Sequence, residues 1–195
     1  MNEFFIKKMT VGQLNAVVKF ISGQTGIKDT DEIVRQLDMG FWKIVSTGED
    51  VLIASNILVV KNQTIQQAIA AGNYDWHNDL IPQKFTHDNS LVGKWEFKLI
   101  NPNRDISSED AKKMCEVDGW QVGDIEHELA IGAQFPSLQK DGPIIALGSV
   151  CEHYGSRRVP ALWTDGARRE LRLYDWDGDW PSHFRFLSVR PLSES

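Results

Sequence analysis

From Pro143 onward the chain alternates short β-branched and aromatic runs with turn residues, which restricts this stretch to strands joined by turns. Ile144-Ile145-Ala146-Leu147 is followed by a polar turn at His153-Tyr154-Gly155-Ser156, then by Val159-Pro160-Ala161-Leu162-Trp163. Asp165-Gly166 marks a second turn, because Gly accepts the positive φ that a tight hairpin requires. Leu171-Arg172-Leu173-Tyr174 and Phe184-Arg185-Phe186-Leu187-Ser188-Val189-Arg190 then alternate with a period of two. Four short strands with long turns are predicted, and specific contacts are expected from the loops they carry.

The chain ahead of this section reads as helices and a hairpin. Val11, Leu14, Val17, Val18 and Ile21 fall at helical spacing after the cap Thr10, with Gly23 beyond the end. A second helix is predicted over Asp29 to Met39, where Ile33, Val34 and Leu37 repeat the spacing before Gly40. Phe41 to Val45 and Val51 to Val60 read as a hairpin around Ser46-Thr47-Gly48-Glu49-Asp50. Thr64-Ile65-Gln66-Gln67 is a capping box that opens a helix closed by Gly72. Residues 73–90 are polar, aromatic and irregular, and are taken as an internal linker. Trp95, Phe97 and Leu99 alternate with charges, predicting a strand with one wet face. Ser107 or Ser108 then caps a helix that runs through Val117 to Gly119, and Asp124 caps another through Ile125, Leu129 and Ile131. The expected organisation is a helix-helix-hairpin unit over 1–72, the linker over 73–90 and an α+β module over 91–195.

Composition narrows the function classes. The 195 residues carry a formal charge of −6, which disfavours a surface dedicated to phosphate backbones. The longest apolar stretch, residues 51–60, has two polar interruptions and is too short to span a bilayer as a helix. Met1-Asn2-Glu3-Phe4-Phe5-Ile6-Lys7-Lys8 meets a polar, helix-like segment and no apolar signal region, so a soluble, acidic, cytoplasmic protein is expected. Cys115 and Cys151 are then reduced, packed thiols, because two cysteines make no disulfide framework.

Each candidate for chemistry has a competing structural reading. Asp175, Asp177 and Asp179 resemble an oxygen cluster for a hard cation, but Trp180 and Phe186 stand where a calcium loop needs Gly and Glu. An acidic turn is the better reading, and no metal is expected. Glu126-His127-Glu128 and Glu152-His153 pair imidazoles with carboxylates, yet sequence neighbours on a helix point apart. Phosphate-loop, dinucleotide, His-Glu-x-x-His and Cys-x-x-Cys motifs are missing, so no cofactor is expected. Arg157-Arg158 and Arg168-Arg169 flank Trp163 among several carboxylates, which ranks a protein or small polar ligand ahead of nucleic acid. Tyr74, Asp75, Trp76, His77 and Asn78 form a second polar-aromatic cluster of the composition enriched at contact surfaces.

The run Pro143 to Ser149, Arg158-Val159-Pro160-Ala161-Leu162-Trp163, Gly178-Asp179-Trp180 and Arg185 to Arg190 resembles a widespread uncharacterised family of bacterial and phage genomes. The ending, a Trp-containing turn before a Phe-Arg strand, is similar to C-type-lectin-like domains of the formylglycine-generating-enzyme type. Over residues 105–190 this resemblance implies a loop-rich α+β fold that presents variable side chains for binding. Those enzymes use cysteines in the C-terminal part of the domain, and this chain has none after Cys151, so the resemblance carries over fold and binding but not oxidase chemistry. The expectation is an α+β, non-catalytic recognition module whose partner is another protein. Its contact residues are Trp163, Arg168, Arg169, Tyr174, Trp176, Asp179, Trp180 and His183, since aromatics and arginine at loop tips dominate binding energy. The alternatives are a phage-type inhibitor of a host protein, and a hydrolase or transferase using His127, His153, Glu152 and Asp179.

Overall fold

A computed structural model describes residues 12, 15, 17–19, 21–22, 29–31, 33–34, 42–47 and 50–192, without the side chains of 42–47 and 50–56. The chain is α+β and divides into two compact units, Met1–Ile57 and Leu58–Ser195. In the first, the described residues between 12 and 22 and between 30 and 34 are helical, and Val17, Ile21 and Ile33 are buried, as their spacing requires. Asp29 opens the later helix, its carboxylate accepting from Asp31 N at 3.0 Å. The expected caps Thr10, Gly23 and Gly40 lie outside the described residues. Strand β1 (Trp42–Thr47) pairs antiparallel with β2 (Asp50–Val60), from Trp42 opposite Asn56 to Thr47 opposite Asp50.

The second unit begins with the end of β2, residues 58–60, followed by helix α1 (Ile65–Gly72). Thr64 Oγ1 accepts from Gln67 N at 3.2 Å while Gln67 Oε1 accepts from Thr64 N at 2.9 Å, a reciprocal cap that contributes about 1 kcal/mol. Residues 73–90, read from the sequence as an irregular linker, lie inside this unit. They hold strand β3 (Trp76–His77) and the short helix α2 (Ile81–Lys84), and Ile81 is fully buried. The apolar signal of this stretch is too brief to show a periodicity, and its strand pairs with a partner far along the chain.

The remaining elements are β4 (Gly93–Ile100), α3 (Ser108–Cys115), β5 (Gln121–Val122), α4 (Ile125–Gln134), β6 (Ile144–Ile145), β7 (Cys151–His153), β8 (Ser156–Asp165), β9 (Arg168–Asp175) and β10 (Arg185–Pro191). Strand β7, which the sequence reading left in a turn, hairpins onto β8 through Tyr154 and Gly155, both at positive φ. Within this unit the order is β4-β10-β6-β8-β9-β3, with β5 also beside β10 and β7 beside β8. Neighbours are antiparallel except β10 with β6 and β9 with β3, which are parallel.

Alternation along the strands sends side chains to two covered faces. On one, Phe97 meets Phe135 of the α4 C-cap edge-on at 5.0 Å, and Trp95 meets His127 of α4 at 4.3 Å. On the other, Ala111 and Cys115 of α3 join Ile145, Val159, Ala161, Trp176, Trp180, Phe184 and Phe186 in a core cluster. The wet face expected for β4 is therefore corrected at Glu96, which is only 4% exposed. Arg190, opposite it on β10, pairs with its carboxylate, and Trp120 lies 4.6 Å from the Arg190 guanidinium. A charge in a strand looked solvated; tertiary pairing buried it.

Candidate functional site

On β9 the residues Arg168, Glu170 and Arg172 share one face, two positions apart, because strand side chains alternate. Strand β3 runs parallel beside them with Trp76 opposite Glu170, so Trp76 and Asn78 fall on that same face. Together with Leu173 these five residues line a solvent-open groove of about 340 Å³. Trp76 is 44% exposed, a large aromatic left uncovered at the end of the sheet. Glu170, 5% exposed, accepts from Arg172 Nε at 2.7 Å, and Arg172 lies 5.5 Å from the Trp163 ring. Asn78 Oδ1 accepts from Leu80 N at 3.0 Å, so this side chain also shapes the turn into α2.

The sequence-predicted contact residues are distributed differently from the expectation. Arg168 is exposed in the groove, and half-buried Trp163 adjoins it beneath Arg172. Arg169 points to the opposite face, where its guanidinium donates to the carbonyls of Gly72 at 2.7 Å and Gly132 at 2.6 Å and to Gln139 Oε1 at 3.1 Å. It thereby ties α1 and α4 to β9. Trp176 and Trp180 are 7% and 3% exposed, which corrects their assignment to loop tips. The Trp180 indole donates to Ser108 Oγ at 2.8 Å, Ser108 donates to Trp176 O at 2.6 Å, and the Trp176 indole donates to Glu109 at 3.0 Å. The start of α3 thus holds both tryptophans in the core, because an indole N–H needs a partner once buried. Tyr174 is half-buried, 5.7 Å from Phe184, while Asp179 and His183 are exposed. Asp175 lies 3.1 Å from Arg158 and Asp177 pairs with Arg157, so arginines occupy two of the three clustered carboxylates.

The acid-base candidates do not converge. His127 is fully buried, Glu152 and Asp179 are exposed, His153 packs on Tyr154 at 4.2 Å, and no hydrogen bond or ion pair joins any two of them among the described residues. Burial holds the His127 imidazole neutral, lowering its pKa to about 4. Its Nδ1 accepts from Asp124 N at 3.1 Å, closing the helix start that Asp124 was expected to cap. Glu128, on the next position, is also fully buried, and desolvation raises its pKa well above the carboxylate range. Tyr74 Oη is buried without a hydrogen-bond partner among the described residues, and burial followed by the nearby Glu128 raises its pKa. His127 and Glu128 are packed against the sheet, and the Tyr74 hydroxyl is enclosed between α1 and α4. Glu126 accepts from His87 and from Asp88 N at 3.2 Å, which fastens the loop before β4 to α4.

Among the described residues no group of three or more His, Cys, Asp or Glu is placed to hold a metal ion, and no helix is long and apolar enough to cross a membrane. Sequence reasoning named Trp76, Asn78 and Arg168 in two separate clusters and missed Glu170, Arg172 and Leu173 as lining residues. The alternation Arg168, Glu170, Arg172 was available as a signal for a shared face. The pairing of β3 with β9 was not, since it joins segments such as Asp75 and Arg169 that are 94 residues apart. Comparison of the chain with protein-family models, with curated proteins and with solved structures gives no match.

Proposed function

We propose that this chain is a non-catalytic recognition module that binds another protein through the groove between β3 and β9. The observation that carries the reading is the open site of Trp76, Asn78, Arg168, Glu170, Arg172 and Leu173, where an uncovered indole stands beside arginines at the end of the sheet. Trp and Arg are the residues that dominate binding energy when a partner desolvates them. A groove this open suits a segment of a macromolecule better than a small molecule, whose sites bury most of the ligand. The scatter of His127, His153, Glu152 and Asp179 gives the enzymatic alternative no comparable support. A cytoplasmic setting accords with Cys115 and Cys151, which are free, buried thiols.

Selection of displayed random peptides against the whole chain tests the reading. Selected peptides are expected to lose about tenfold or more in affinity for Trp76→Ala, the effect of one well-packed aromatic anchor. Tyr154→Ala, a change at a side chain 95% exposed and outside the groove, is expected to leave their affinity unchanged. Binders indifferent to Trp76→Ala would sink the proposal.

A further inference from the structure

The polar groups of the groove define what its occupant must offer. Asn78 Oδ1 accepts from Leu80 N, which leaves both N–H donors of its side-chain NH2 available. Glu170 is held by Arg172 through Nε at 2.7 Å and Nη2 at 2.6 Å, so the carboxylate of the groove is already matched by a cation. Arg168 is exposed, and it forms no side-chain hydrogen bond or ion pair among the described residues. Nor does the Trp76 indole N–H, whose ring is open to solvent. The lining therefore offers N–H donors, two arginines against one glutamate, and one flat apolar surface, with Asp165 of β8 opposite Arg168 on the side away from β3. Although the chain as a whole carries −6, this patch is complementary to a negatively charged acceptor.

Strand geometry fixes the spacing. Trp76 stands level with Glu170 on the neighbouring strand, and Arg168 lies two residues away along β9, so the two side chains leave the backbone at diagonal positions about 7–8 Å apart. Side chains at alternate positions of an extended peptide are separated by about the same distance. We propose, resting on the protein-binding reading above, that the groove takes an extended acidic peptide segment. In it a carboxylate two residues from an apolar or aromatic side chain meets Arg168 while that side chain covers Trp76. The amide of Asn78, the residue that follows β3, donates to a further carbonyl or carboxylate oxygen of the segment.

The probes are soluble ten-residue peptides carrying Glu-Gly-Phe or Phe-Gly-Glu, each with Gln and Lys counterparts at the acidic position, and a single-stranded ten-nucleotide DNA. Binding to the full chain is read from the Trp76 indole resonance, assigned with Trp76→Phe. A Glu peptide is expected to move that resonance and to bind about tenfold more tightly than its Gln counterpart. Arg168→Glu is expected to reverse the order, weakening the Glu peptide and favouring the Lys one. Equal affinity for Glu and Gln peptides, or an unchanged order in Arg168→Glu, overturns the acidic assignment while leaving the groove a peptide site. If no peptide moves the Trp76 resonance, both readings fall. Tighter binding of the oligonucleotide than of every peptide also overturns the proposal, since Trp stacking and Arg would then serve bases and phosphates.

Discussion

Gly132 lies inside α4, where alanine would ordinarily be favoured by about 1 kcal/mol, and Tyr74 explains the exception. A Cβ at residue 132 would stand 1.8 Å from Tyr74 Oη, 2.7 Å from Cζ and 3.2 Å from Cε1. Gly72 of α1 meets the same ring, a Cβ there standing 2.3 Å from Cε2. The hydroxyl between the helices has no hydrogen-bond partner among the described residues, and an orphaned buried donor costs about 1–3 kcal/mol. Tyr74→Phe removes that penalty for the loss of one atom's contacts, so a gain of about 1 kcal/mol is expected. Gly132→Ala alone sets a propensity gain of about 1 kcal/mol against an overpacking cost of about 1–3 kcal/mol, for a net loss of up to about 2. In the double variant the nearest contact relaxes from 1.8 to 2.7 Å, and the two changes are expected to be about 1 kcal/mol more favourable together than their sum. Urea unfolding followed by tryptophan fluorescence, with the m-value checked for constancy, measures all four corners of the cycle. A Tyr74→Phe variant less stable than the parent, or strictly additive variants, would refute the reasoning.

Two of the buried ionisable groups on α4, His127 and Glu128, make opposite contributions to stability as pH changes. His127 has a folded pKa of about 4 against an ordinary 6.5, so its contribution is complete above pH 6.5 and is lost as pH falls toward 4. The gap of about 2.5 units sets an upper limit of about 3 kcal/mol on that loss. Glu128 is shifted upward, so its contribution is present below the usual 4.5 and is lost as pH rises. Glu128→Gln is therefore expected to be more stable than the parent at pH 8, the difference shrinking toward pH 4.5; parallel urea midpoints from pH 4.5 to 8 would contradict this. Trp180→Ala is expected to lose about 3–5 kcal/mol in the same assay, because it empties a core site and strips Ser108 of its indole donor. An unchanged midpoint would return Trp180 to the loop-tip role its sequence position suggested.

Local signals located most of the elements of the second unit because they are satisfied by neighbouring residues. The capping box at Thr64 and Gln67, the cap at Ser107 and the turn at Asp165-Gly166, with Gly166 at φ 59°, each operate within a few positions. The periodicity of β8, β9 and β10 was legible for the same reason. Burial was less so. Trp176 and Trp180 sit among Asp and Gly, a context that reads as an exposed loop, and only the distant Ser108 and Glu109 show why their indoles can be internal. Glu96 and Arg190 alternate as solvated residues until β4 and β10 are laid side by side.

The candidate site divides along the same line. Its residue types were fixed by the sequence: Trp and Asn in one cluster, and arginine with glutamate alternating along a strand. Their meeting in one groove was decided by the parallel pairing of β3 with β9, for which no short-range pattern exists because the hydrogen bonds join distant segments of the chain. The tertiary structure also determined which arginine is available. Arg169 and Arg168 are adjacent in sequence, but the pleat turns one toward the helix carbonyls and leaves the other open in the groove.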